Sequence, residues 1–185
     1  MGTGGKSIGA VPALTLLLSF MACAQAPSQV PGRTITMAGN PYYNESDSTP
    51  LDLPDSVWRK VLDPEVYHIA REKGTERAFT GALWDHEGIG RYHCAACGNM
   101  LFLADSKFAS GCGWPSFYRT EREGSVRYAE DRSHGMVRTE VLCGRCGGHL
   151  GHVFDDGPPP TGKRYCMNSA VLRFRPQATA PEPPR

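Results

Sequence analysis

The chain has 185 residues, 40% of them apolar and 21% charged, with 20 Lys+Arg against 19 Asp+Glu. A formal charge of +1 excludes a nucleic-acid binder that works through a basic surface. The absence of any clean apolar run of about 18 residues argues against a membrane-spanning helix, and the ordinary composition argues against disorder throughout.

Taken in chain order, residues 1–22 read as an export signal. Lys6 supplies the positive start, Ile8 to Ala24 is mostly apolar, and Ala22, Cys23 and Ala24 offer small residues for cleavage. Two processing routes compete. Cleavage after Ala24 releases a soluble exported protein, whereas cleavage before Cys23, with lipid on its sulfur, leaves a lipoprotein. Ser19 to Cys23 resembles a bacterial lipobox, with Phe20 where Leu is usual. Either route places the protein outside the cytosol, periplasmic or lipid-anchored to the bacterial envelope. Residues 23–53 read as a flexible linker punctuated by Pro27, Pro31, Gly32, Gly39, Pro41 and Pro50. The folded unit is residues 54–175, and residues 176–185, with four Pro, read as a disordered tail.

One helix is clearly written within the folded unit. Asp63 can cap it, Pro64 suits its first position, Val66, Ile69 and Ala70 recur at helical spacing, and Gly74 can end it. A shorter helical turn over Val57 to Leu62 precedes it. Beyond Gly74 the pattern turns to short β-rich runs at Val126 to Tyr128, Met136 to Leu142 and Val171 to Phe174, separated by Gly and Pro. No βαβ alternation appears, so the fold class is mainly antiparallel β with small N-terminal helices.

The seven Cys carry the chemistry. Cys94 with Cys97, and Cys143 with Cys146, form two C-x2-C pairs separated by forty-five residues. Each pair can present two thiolates about 3.7 Å apart, an edge of a tetrahedral Zn²⁺ site. Gly98 and Gly147 follow the pairs, where a chain wrapping a metal often needs positive φ. A closed four-Cys site leaves no open position, so one structural zinc is the preferred reading. Redox dithiols are the rival, and iron also suits four thiolates. His149 and His152 follow Cys146 closely but are surplus to a metal already held by four sulfurs.

Setting Cys23 aside, Cys112 and Cys166 remain. Cys112 stands between Gly111 and Gly113, with Trp114 close behind. If Arg164 to Asn168 is extended, Cys166 and Asn168 share a face, which sets an amide beside a thiol. Arg164 on that face and nearby Lys163 can favour the thiolate, the reactive form. A lone Cys is more often a small buried hydrophobe. Two of them, with Trp114, His149, His152 and Asn168 at hand, tilt the reading toward redox catalysis.

These residues carry a family resemblance. From about Asp55 to Phe174 the chain resembles the type B methionine-sulfoxide reductases. The likeness runs through Arg71 to Arg77, Tyr92 to Gly98, Ser110 to Phe117, Glu130 to Val141, Gly148 to Phe154, and Arg164 to Ala170. The resemblance implies two antiparallel β-sheets with short N-terminal helices. It makes Cys166 the nucleophile and Cys112 the resolving thiol, closing a Cys112–Cys166 disulfide after a Cys166 sulfenic acid. It makes Cys94, Cys97, Cys143 and Cys146 the ligands of one structural Zn²⁺. It also sets Trp114, His149, His152 and Asn168 at the substrate pocket. The implied substrate is methionine R-sulfoxide, free or within oxidised proteins, and the implied reductant is thioredoxin-like. Export would demand an exported reductant of that kind or a membrane relay. Contact with the membrane would run only through a lipid on Cys23. Two other readings stand beside this one: a non-catalytic zinc-binding module docking through Trp114 and His149, and a general thiol–disulfide oxidoreductase.

Overall fold

The computed structural model describes residues 1, 2, 4 and 39–177. The leader's apolar run, Cys23 and the tail beyond Gln177 lie outside the described residues. Two helices come first, α1 (Asp55–Val61) and α2 (Pro64–Glu72). Nine strands follow: β1 (Gly90–Cys94), β2 (Met100–Leu103), β3 (Lys107–Phe108), β4 (Ser116–Phe117), β5 (Val126–Asp131), β6 (Arg138–Cys143), β7 (His149–Phe154), β8 (Arg164–Met167) and β9 (Leu172–Pro176).

The strands build two antiparallel sheets, a small one in the order β2-β1-β9 and a larger one in the order β3-β4-β8-β7-β6-β5. Aromatic side chains join them. Phe102 of the small sheet stacks on Phe117 of the large one at 4.3 Å, and Tyr92 meets Phe117 edge-on at 4.9 Å. All three are fully buried, so this contact excludes water between the sheets and anchors the core. Helix α2 presents Val66, Ile69 and Ala70 to that core.

Helix α2 begins as its sequence dictates: the Asp63 carboxylate accepts from the Glu65 amide, and Pro64 takes the first position. Its end differs. The left-handed residue is Lys73, with φ of 58°, and not Gly74. Gly74 serves instead as a close-approach site, because a Cβ there would fall 2.4 Å from the His68 ring. The extended run beginning at Met136 pairs only from Arg138, leaving Met136 and Val137 exposed. Residues 40–53, which composition reads as linker, pack on the folded unit. Tyr42, Leu51 and Leu53 lie against its core, and the backbone makes hydrogen bonds to Cys97 and Arg145. Pro and Gly there set turns and do not signal a free chain.

Candidate active site

The two Cys pairs sit at equivalent places in different sheets. Cys94 ends β1 and Cys143 ends β6, and each strand runs into a tight turn carrying its partner, Cys97 or Cys146. The turns close through amides of Gly98 and Gly147, which donate to the carbonyls of Cys94 and Cys143 at 2.8 and 2.9 Å. Both glycines have positive φ, 83° and 67°. The four sulfurs lie within 4.8 Å of one another, and the contacts across the pairs are 3.6 and 3.8 Å. That spacing matches the edges of a tetrahedron with metal–sulfur bonds of about 2.3 Å. All four Cys are buried. Four buried thiols this close oppose each other's ionisation, and a divalent cation removes that opposition. The donor set therefore fits a metal ion, held between the sheets and away from the pocket described next.

Cys112 and Cys166 form a second, separate sulfur pair. Strand β4 lies beside β8 with Ser116 opposite Cys166, and the loop before β4 lowers Cys112 onto the same spot. The sulfurs are 3.5 Å apart. Ser110 Oγ stands 3.0 Å from Cys112 Sγ and Ser116 Oγ 3.5 Å. Burial raises the Cys112 thiol, but hydrogen bonds from Ser110, Ser116 and Cys166 outweigh it and hold Cys112 down to about 7. Burial pushes Cys166 up to about 12, reinforced by the neighbouring Cys112 charge. Two thiols this close titrate as a pair, and the first thiolate belongs to Cys112. Arg164 opposes the rise at Cys166, but its guanidinium is gripped by Asp156 through two 2.8 Å bonds. Lys163 pairs with Asp155. Arg164 thus favours the Cys166 thiolate, as its place in the sequence suggests, but burial and the neighbouring Cys112 outweigh it.

Beside Cys166 lies a cavity of about 130 Å³ lined by Thr75, Trp114, Arg138, His152, Phe154 and Asn168, among others. Register explains its residues. His152 on β7 pairs with Cys166 on β8, so both side chains leave the same face of the sheet. Gly151, also in the lining, brings β7 close to β8: a Cβ there would fall 2.1 Å from the Cys166 carbonyl oxygen. The Trp114 indole forms a wall and is fixed by donating to the Glu76 carbonyl at 3.2 Å.

The remaining expected residues separate by role. His152 faces the cavity, with Nε2 2.7 Å from Asp131 Oδ2. His149 is buried behind it, the two rings 5.5 Å apart, and its Nδ1 meets Glu140 Oε1 at 2.7 Å. Burial lowers the His149 pKa despite Glu140, so it stays neutral near pH 7. Asn168 lines the cavity, but its amide is engaged at both ends, accepting from the Glu76 amide at 3.1 Å and donating to the Leu150 carbonyl at 3.0 Å. These two bonds fix the amide in the pocket wall and leave its second N–H for a substrate or water.

Four residues that sequence reasoning left unassigned organise this site. Asp131 holds His152 and Arg138 together, each at 2.7 Å. Glu140, fully buried, bridges His149 and Lys73. Glu76 ties together Trp114 and Asn168, and its carboxylate caps the Ser169 and Ala170 amides. Arg138 contributes the cavity's fixed positive charge. Asp131, Arg138 and Glu140 stand within one quoted stretch, and a charged residue alternating through a β-run was the available signal.

Comparison with known proteins places this geometry. The family model described as the SelR domain matches residues 62–176. The "Peptide methionine sulfoxide reductase MsrB" of Thiobacillus denitrificans is 60% identical over 130 residues, 70% of this chain and 98% of that protein. The protein of the same name from Leptospira interrogans is 59% identical over 125 residues, 68% of this chain and 95% of that protein. That from Cellvibrio japonicus is 63% identical over 118 residues, 64% of this chain and 84% of that protein.

Proposed function

The chain belongs to the SelR-domain family, the family of the MsrB peptide methionine sulfoxide reductases, and from that premise we propose that it reduces methionine R-sulfoxide, free or protein-bound, to methionine. The observation that carries the mechanism is the 3.5 Å contact between Cys112 and Cys166 at the mouth of a small cavity walled by an indole. The sulfoxide methyl group packs on Trp114, and the sulfoxide oxygen turns toward His152 and Arg138. The Cys112 thiolate is the base nearest the Cys166 proton. It takes that proton, and the Cys166 sulfur attacks the sulfoxide sulfur while His152 donates to the oxygen. In the resulting adduct the protonated oxygen passes from the methionine sulfur to the Cys166 sulfur as the transient S–S bond breaks; methionine leaves, and Cys166 is left as a sulfenic acid. Cys112 then attacks that sulfur, water leaves, and a Cys112–Cys166 disulfide closes. An external dithiol reopens it by exchange, becoming a disulfide itself.

Asp131 keeps the His152 ring turned to the cavity through their 2.7 Å contact. Glu140 and His149 support it from behind. Cys94, Cys97, Cys143 and Cys146 would hold the metal, zinc in this reading, in a structural role that leaves the redox step to Cys112 and Cys166. The enzyme acts outside the cytosol, as a soluble periplasmic protein or anchored by a lipid on Cys23, and its reductant is an exported thioredoxin-like dithiol.

The test is epimer-resolved reduction of a methionine-sulfoxide substrate with dithiothreitol, beside Cys166→Ser. Turnover of the R epimer alone, abolished by the substitution, is the expected result. Turnover of both epimers, or activity surviving the substitution, would refute the proposal. With a protein reductant Cys112→Ser should complete one turnover and stall as sulfenic acid. The mass of the mature N-terminus separates the two export routes.

A further inference from the structure

We propose that residues 40–53 are a latch that ties the two Cys pairs to each other and controls how fast the site gives up its metal. The inference rests on the metal reading of the four-Cys site. The segment precedes residue 62, where the SelR match begins.

The latch touches both halves of the site at the backbone. On the first pair, Asn40 Nδ2 donates to the Ala96 carbonyl at 2.8 Å, and the Asn44 amide donates to the Cys97 carbonyl at 3.0 Å. On the second pair, the Leu51 amide donates to the Arg145 carbonyl at 2.8 Å. Arg145, between Cys143 and Cys146, then returns across the gap. Its Nη1 donates to the Tyr42 carbonyl at 2.9 Å and the Cys97 carbonyl at 2.6 Å, and its Nη2 meets Asp47 Oδ2 at 2.7 Å. One guanidinium thus joins the first pair, the second pair and the latch.

Two further features mark the segment as fitted to the site. Gly98 has no side chain where the latch crosses, and a Cβ there would fall 2.7 Å from the Asn44 backbone. Tyr42 packs edge-on against Trp58, 5.8 Å between centroids, which fastens the latch to helix α1. Arg145 is also only 6% exposed. A buried cation beside four thiolates and one divalent ion offsets the net negative charge of that cluster. Metal loss requires the pairs to part. They sit on different sheets, and the latch with Arg145 is a second connection that must open first.

The experiment uses the full chain loaded with Zn²⁺ and follows zinc transfer to a colorimetric chelator, at a temperature well below the melting point of every variant. The Asn40→Ala/Asp47→Ala double substitution removes the two side-chain bonds from the latch to the site, one of them charge-assisted, and two turn bonds within the latch, from the Tyr42 and Thr49 amides, without touching a Cys-bearing turn. It should speed zinc loss about tenfold, the worth of one such bond. Arg145→Met should speed it at least as much, and combining the two should add little, because both open the same latch. Arg119→Ala, which breaks an exposed pair with Asp105, is the control and should leave the rate unchanged. Hydrogen exchange distinguishes a latch from general destabilisation. The Asn44 and Leu51 amides should exchange faster in the double variant while Met167 and Asn168 stay protected.

Unchanged zinc loss in the double variant, or exchange accelerated equally through β7 and β8, would overturn the latch. If the wild-type chain takes up no metal, the metal reading fails on its own. The latch is then read from alkylation of the four thiols, which should quicken in the double variant. An unchanged alkylation rate would overturn it.

Discussion

Replacing Cys112 with Ser should make Cys166 ionise at lower pH, although it removes the thiol proposed to resolve the sulfenic acid. In the parent chain the Cys112 thiolate forms first, near pH 7, and stands 3.5 Å from Cys166. A second thiolate then meets a like charge at contact distance. With an effective dielectric constant of about 20, that repulsion is roughly 4–5 kcal/mol, or about three pH units. Both sulfurs are only partly buried, and solvent screening brings the effect to roughly one to three units. Cys166, held at about 12 in the pair, should therefore fall to roughly 9–11 in the variant. Burial still raises it and Arg164 still lowers it. The assay is iodoacetamide labelling across pH, with each Cys resolved by peptide mass spectrometry. The parent should label first at Cys112, with a midpoint near 7, and Cys166 should stay unreactive to high pH. In Cys112→Ser the Cys166 profile should move to lower pH. Coincident Cys166 profiles in the two proteins would refute the coupling, and with it the role of Cys112 as the base that frees Cys166.

Asp131→Asn should leave the fold intact but lower kcat/KM about 10–100-fold in dithiothreitol-driven turnover, since His152 loses the carboxylate that orients it. Glu140→Gln should cost about 1–2 kcal/mol in chemical denaturation at pH 7, because Lys73, itself largely in water, and neutral His149 each lose a hydrogen bond to a carboxylate. Burial raises the Glu140 pKa, but Lys73 and His149 outweigh it and the net shift is downward. Its contribution is therefore present above the unfolded value of about 4.3 and lost as pH falls through the lower folded value. The stability gap between parent and Glu140→Gln should close on acidification over that window, as melting temperatures against pH would test. Cys94→Ser should lose its metal by elemental analysis and melt early by calorimetry, because metal binding and folding are coupled. Retained metal with unchanged melting would count against the four-Cys assignment.

Much of this architecture is legible in the sequence where a single residue type carries a local rule. Asp63 and Pro64 mark the start of helix α2 because capping and a fixed φ act within one turn. The paired C-x2-C spacing reads as a metal site because two thiolates in one turn match an edge of the tetrahedron. The errors occur where a residue answers to a distant partner. Gly74 looks like a helix cap, but the His68 ring claims its open side, and Lys73 takes the left-handed turn. Residues 40–53 look like linker because their turns carry no apolar period. Their partners are backbone carbonyls at Ala96, Cys97 and Arg145, which no sequence pattern displays.

The active site shows the same limit in its electrostatics. The proximity of Arg164 to Cys166 in sequence suggests a stabilised thiolate, and the period of two does place both on one face of β8. Strand pairing then adds neighbours that sequence does not reveal. Across the larger sheet, Ser116, Cys166, His152 and Glu140 stand opposite one another on β4, β8, β7 and β6. Arg164 is two residues from Cys166 along the strand but turns to Asp156. Cys112 is fifty-four residues away and comes to 3.5 Å. The sulfur nearest Cys166 is therefore set by register between strands, and its charge, when ionised, opposes ionisation of Cys166 more than Arg164 assists it. Because repulsion falls with distance, a sulfur at contact outweighs a guanidinium already paired elsewhere. The order in which the two thiols ionise thus follows from pairing geometry and not from the composition of the Cys166 segment. A variant that frees Arg164, such as Asp156→Asn, should lower the Cys166 labelling midpoint by less than Cys112→Ser does. The reverse order would place the controlling charge on β8 itself.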